Sequence, residues 1–151
     1  MQPQSLLLLP RLYLALIFLV AATTKLQMHG AFTPTLAGFL HGIALQNGFS
    51  WYKPIVTQII LPHLSQIGQF VVAGELYVGF ALFAGIATRV AAIVAIVLLF
   101  NYASAKGAVP WSPASNDWAD IVLALIVAIG GAGPSFAFDA WLMRKPHVRY
   151  S

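Results

Sequence analysis

An all-α integral membrane fold, a four-helix bundle with an interfacial helical segment between its first and second spans, is predicted by three observations. Apolar residues make up 60% of the sequence and charged residues only 8%, against about a quarter charged in a soluble domain. The apolar residues gather into four runs at or near membrane-crossing length, separated by polar or glycine-rich breaks. The lysines and arginines lie at the ends of those runs, where boundary charges belong. A length of 151 residues leaves room for one such domain.

The first run, MQPQSLLLLPRLYLALIFLVAATTK, carries Arg11 after its leading leucines and ends without a small-residue cleavage site. It is therefore read as a retained helix and not as a signal peptide. Span one covers about residues 10–28, with Pro10 near the first turn, where a missing N–H costs little. Residues 29–65 form a connection too long and too apolar to be idle. In it TLAGFLHGIAL is expected as a short interfacial helix, Trp51, Tyr52 and Lys53 as a headgroup-level anchor, and PIVTQIILPH as the lead into span two. Span two covers about 66–87, span three about 90–105, and span four about 117–132, stopped by Gly130, Gly131, Gly133 and Pro134. Residues 133–151 are a tail. Arg11, Arg89, Arg144, Lys145 and Arg149 stand on one side against Lys25, Lys53 and Lys106 on the other. That bias places both termini in the cytoplasm and the long connection outside, in a membrane protein that crosses several times.

Several chemistries are excluded. Without cysteine there is no disulfide, thiol relay or Cys-ligated metal centre. The net charge of +4 is spread between apolar runs instead of forming a basic stripe, so nucleic acid is not a partner. His29, His41 and His63 lack the i, i+3 or i+4 spacing that brings two metal ligands onto one helical face. No metal, haem or flavin motif is present. GGAGPS at 130–135 follows a membrane helix and lacks a Lys-Ser/Thr ending, so it is a turn and not a phosphate loop.

The exception to the apolar pattern is Glu75, inside VVAGELYVGFALFAGIATR. A charge at the bilayer centre costs about 2.5–3.5 kcal/mol on insertion scales, so such a residue faces a partner or a cavity. Glu75 lies 14 residues from Arg89 and Lys25 lies 14 from Arg11, which on a helix is roughly 21 Å from the arginine-side boundary of a core about 30 Å thick. Asn101 stands at roughly 18 Å on the same ruler, and Asp117 and Asp120 at roughly 21 and 17 Å if span four ends at Gly131. Gly68 and Gly79 share the Glu75 face and allow close helix approach. The expectation is a buried layer of Lys25, Glu75, Asn101 and Asp117 or Asp120, in which an acid left over after pairing with Lys25 can hold or pass a proton. A structural alternative stands beside it for each residue. Glu75 and Lys25 can form an ion pair that fixes helix register, Lys25 can snorkel, and Asp117 can cap span four with Asp120 in its first turn. Arg89 is a boundary charge, and Asp139 is expected to pair with Arg89 or Arg144 at the cytoplasmic surface.

VVAGELYVGFALFAGIATRVAA, preceded by VTQIILPHLSQIGQF and followed in order by NYASAKG, the Asn116-Asp117 pair and GAGPSFAFDAWLMRK, resembles the signature region of the DoxX/DoxD family over about residues 10–145. The resemblance implies a four-helix bundle in the plasma membrane. It also implies membership in a thiosulfate:quinone oxidoreductase or association with a terminal quinol oxidase. Glu75, Arg89, Asn101, Asp117 and Asp139 are the positions matched by motif. The first helix departs from the family's Gly-x-x-Lys ending, reading Ala22-Thr23-Thr24-Lys25.

The leading expectation is a membrane subunit of a quinone-linked respiratory or redox complex, surrounded by lipid and by other subunits that carry the electrons. In it Glu75, Lys25 and Asp117 form the proton-handling cluster, and Asn101 and Tyr102 contact a quinone. The alternatives are a non-catalytic structural or assembly subunit, and a proton or small-solute path.

Overall fold

The computed structural model describes residues 7–113 and 115–130. Among these the regular structure is helical, with no strand. Five helices of eight residues or more follow in order: α1 (Leu8–Gln27), α2 (Phe32–Phe39), α3 (Leu64–Ala84), α4 (Thr88–Lys106) and α5 (Asp117–Gly130). Three stretches are long and apolar enough to cross a membrane, namely Leu8–Gln27, Lys53–Ala84 and Thr88–Lys106. The end expected for span four and the tail 133–151 lie outside the described residues.

α1 packs on α3, α3 on α4, α4 on α5, and α5 back on α1, which closes the bundle. The inward faces follow from helical spacing. On α1 the buried positions are Arg11, Leu14, Ala15, Phe18 and Ala22, and on α3 they include Gly68, Glu75, Val78, Gly79 and Leu82. On α4 they include Thr88, Ala91, Ala92, Ala95, Leu99 and Ala103. On α5 they are Asp117, Asp120, Ala124 and Val127. The interfaces are thus rich in alanine and glycine, as expected where helices gain nothing by hiding apolar surface from lipid and must gain it from close packing. Large apolar residues such as Phe70, Phe80, Val90, Ile93, Leu125 and Ile129 point outward instead, where acyl chains cover them.

Gly79 shows how close the approach is. A Cβ built there would lie 2.6 Å from Leu19 Cγ and 3.1 Å from the Leu19 backbone nitrogen. Gly79→Ile should therefore force α1 from α3 and cost about 1–3 kcal/mol, read as an earlier midpoint when the protein is unfolded from mixed micelles by dodecyl sulfate. An unchanged midpoint would show that the two helices do not meet there.

The helices run over Leu8–Gln27, Leu64–Ala84, Thr88–Lys106 and Asp117–Gly130, beside expected spans of about 10–28, 66–87, 90–105 and 117–132. α3 ends at Ala84 instead of Ala87 because Gly85 takes a left-handed conformation (φ 72°) that caps the helix. Ala87, also at positive φ (47°), completes the three-residue link to α4. Arg11 was expected at the boundary, but its place on the Leu14–Phe18 face draws it into the bundle, where it is 6% exposed.

The connection between α1 and α3 is helical along most of its length. α2 runs into a π-helical turn, Leu40–Ala44, and a short α segment, Leu45–Asn47. A bend at 48–52 then leads into Lys53–Ile55, a second π-helical turn, Val56–Ile60, and a 3₁₀ turn, Leu61–His63, before α3. This connection builds its own small core of Leu40, Ala44, Tyr52, Val56 and Ile60, which closes against Ala105 at the end of α4.

Candidate functional site

Lys25, the last inward position of α1, meets Glu75 at mid-α3. Its ammonium donates to Glu75 Oε1 at 2.6 Å and to Oε2 at 2.8 Å. Glu75 is fully buried, and the Lys25 side chain is 21% exposed. Tyr102, one turn beyond Leu99 on the inward face of α4, donates its hydroxyl to Glu75 Oε1 at 2.5 Å. The Lys25 ammonium also lies 5.8 Å from the centre of the Tyr102 ring. Three helices are thereby joined through one carboxylate. A buried carboxylate holding an ammonium and a phenol is a charge-compensated site, and a proton can be exchanged among its members.

The other expected members of the layer are directed elsewhere. Asn101 accepts at Oδ1 from the Tyr52 hydroxyl at 2.5 Å. Asp117 accepts at Oδ2 from Lys106 at 2.8 Å and from the Ser115 hydroxyl at 2.5 Å. Asp120, one turn deeper in α5, accepts a hydrogen bond from the Tyr13 hydroxyl. Arg89 is exposed, and its expected partner Asp139 lies outside the described residues. No group of three His, Asp or Glu side chains that could hold a metal occurs among the described residues.

Beside these pairs lies a cavity of about 690 Å³. Its walls come from the lysine end of α1, from α2, from the connection, and from α3 and α4, and are mostly apolar: Ala21, Phe32, Leu36, Ile67, Val71 and Leu98 are among them. Lys25, Tyr52, Asn101, Tyr102 and Lys106 also line it, so the lysine of the ion pair and both members of the tyrosine–asparagine pair border one space, with Glu75 behind Lys25 and Tyr102. That size falls in the usual range for a small-molecule site of roughly 300–1,000 Å³, and apolar walls with a few convergent polar groups are the usual composition.

Counting donors narrows what the space can hold. Two of the three ammonium hydrogens of Lys25 are taken by Glu75, and the single Tyr102 hydrogen is taken as well. What remains at the wall is the third Lys25 hydrogen, two hydrogens of the Lys106 ammonium, which gives one to Asp117, and the amide nitrogen of Asn101, which has no partner among the described residues. The site therefore offers hydrogen-bond donors to an apolar molecule that carries acceptors.

Besides Thr24 and Thr35, Tyr52 and Lys106 are the polar wall residues that sequence reasoning did not assign to the site. Both sit where an interfacial aromatic or a boundary cation is expected. The signal that could have found Tyr52 is Asn47-Gly48, a turn pair that reverses the connection and returns residues 49–52 to α4.

The fold and the site define a multi-pass helical membrane protein with a buried ion pair beside an apolar cavity. The chain belongs to the DoxD family, described as the TQO small subunit DoxD, whose family model matches residues 6–150. Neither the curated proteins nor the solved structures compared gave a match.

Proposed function

We propose that this protein is the quinone-binding membrane subunit of a redox complex of the thiosulfate:quinone oxidoreductase type, with other subunits supplying the electrons. The observation that carries this reading is one cavity lined by Lys25 and Tyr102, both bonded to Glu75, and by the Tyr52–Asn101 pair. A quinone ring is apolar on its faces and carries two carbonyl acceptors on opposite edges. The cavity supplies apolar walls and separate donors, among them Lys25 and Asn101. When the ring is bound, the quinone supplies the electron-accepting chemistry. The chain's own residues hold it and handle protons: Lys25 donates to one carbonyl oxygen, and Glu75, bound to both Lys25 and Tyr102, keeps the ammonium in place and serves as the exchangeable proton store. The family description supports a link to a quinone.

In this reading the lysine end of the bundle faces outward, both termini are cytoplasmic, and the membrane is the plasma (inner) membrane. The cavity then opens in the outer half of the bilayer, where a lipid-soluble ring can enter from the side. Ala21→Trp tests the site directly. The indole would fill the space beside Lys25 without removing any polar group, so the variant should fold while losing most binding of decylubiquinone in lipid nanodiscs. Full binding by a folded Ala21→Trp protein would rule the cavity out.

A second reading is favoured by the complete pairing of Glu75. A carboxylate with both oxygens bonded across three helices is also what a purely structural clamp in an assembly subunit needs. Under that reading neither wild type nor variant binds quinone above the lipid background.

A further inference from the structure

Two polar side chains reach the cavity from outside the bundle helices, Thr35, whose hydroxyl donates to the Ala31 carbonyl, and Tyr52. Tyr52 is 4% exposed, although it belongs to the connection between α1 and α3. Its position is held from several sides. The Phe49 backbone N–H donates to the Ser104 carbonyl at 3.1 Å, which ties the bend to the last turn of α4. The Tyr52 N–H donates to the Phe49 carbonyl at 2.9 Å, and the Trp51 ring meets the Tyr52 ring edge-on at 5.6 Å.

Two glycines make this docking possible. A Cβ on Gly48 would strike the carbonyls of Ala44 and Ala105, and one on Gly107, which also has a φ of +64°, would strike the carbonyl of Asn47. The π-helical turns Leu40–Ala44 and Val56–Ile60 flank the bend and bring Leu40, Val56 and Ile60 around the tyrosine. Such turns occur frequently at functional sites.

Tyr52 spends its hydroxyl on Asn101 Oδ1. A primary amide has an acceptor end and a donor end of nearly the same shape, so it can turn either way unless a neighbour distinguishes them. A donating phenol does so: Oδ1 is pinned to Tyr52, and the two Nδ2 hydrogens become the donors that Asn101 can offer at the cavity wall.

The geometry points to Tyr52 as a positioning residue that orients the Asn101 amide to hold one carbonyl of a bound quinone, while the Lys25–Glu75–Tyr102 group takes the other. This rests on the quinone reading above and deepens it. A fixed neutral donor at one carbonyl and an ion pair at the other make the two oxygens inequivalent, so protons meet the ring at the same oxygen each time.

The test uses the full chain in lipid nanodiscs and the partition of decylubiquinone between loaded and empty discs. Tyr52→Phe keeps the ring and its packing and should weaken binding about tenfold, the usual order for one lost neutral hydrogen bond. Asn101→Ala should weaken it by a similar factor. The double variant should bind no more weakly than Asn101→Ala alone, because Tyr52 acts only through the amide. A purely structural tyrosine would instead weaken both backgrounds equally, and that multiplicative outcome overturns the inference. Undiminished binding by Tyr52→Phe overturns it too, while leaving the quinone site standing. Absence of binding above empty discs in the wild type removes the quinone reading and this inference together.

Discussion

Lys25→Met and Glu75→Leu should each destabilise the bundle by about 3 kcal/mol, and the double variant should recover most of that loss. Removing one partner of a buried pair leaves the other charge uncompensated, with a penalty of about 3–5 kcal/mol in protein interiors. In hydrocarbon the stranded group has no better option, since a charge at mid-bilayer costs about 2.5–3.5 kcal/mol. Glu75 is the deeper of the two, with no exposure, and also has the Tyr102 hydroxyl to satisfy. Replacing both by apolar residues of similar volume removes the desolvation cost along with the attraction, which is why the pair can be exchanged where a single member cannot. Unfolding in mixed micelles measures all three variants. Single variants as stable as wild type, or a double variant that shows the sum of both losses, would mean that the two side chains are not coupled.

Glu75→Gln should leave the chain folded, at a smaller stability cost than Glu75→Leu, and lower quinone-linked turnover of the assembled complex by about a hundredfold or more, the range supplied by a positioned proton donor. Glutamine keeps the shape and can still accept from Lys25 and Tyr102, but it cannot hold an exchangeable proton. Binding of decylubiquinone should change far less than turnover, since the donors at the wall belong to Lys25, Asn101 and Lys106 and Glu75 is not on the wall. Turnover equal to wild type in a complex that contains the variant would assign Glu75 to the structural clamp alone. A joint loss of binding and turnover would place the carboxylate in ligand contact, contrary to the donor count.

The bundle was legible because lipid imposes a coarse code. Run length pointed to the long apolar helices, three of which are long enough to cross a membrane, and counting residues from Arg11 and Arg89 placed Lys25 and Glu75 at one depth, where they do meet. Depth alone does not give direction around a helix axis. Asp117 was expected near the same level, but Lys106, at the other end of the ten-residue loop 107–116, is held within 2.8 Å of it and takes it instead. Asn101 and Tyr102 were read together as ligand contacts. Neighbours on a helix point about 100° apart, and here one turns to the connection and the other to Glu75. Tyr52 was the least legible residue. Its setting, Trp-Tyr-Lys, reads as a headgroup anchor, and the two π turns that carry it inward break the 3.6-residue period on which pattern reading depends. Trp51, which stays 50% exposed, does fit that local pattern.

The most direct measurement of the central claim is photolabelling of the protein in its own membrane with an azido-benzoquinone, followed by mapping of the labelled peptides. The account expects label concentrated on the cavity walls, at residues 21–28 and 97–105, and competed away by excess decylubiquinone. Label spread over lipid-facing positions such as Phe80 and Ile93, without competition, would contradict it.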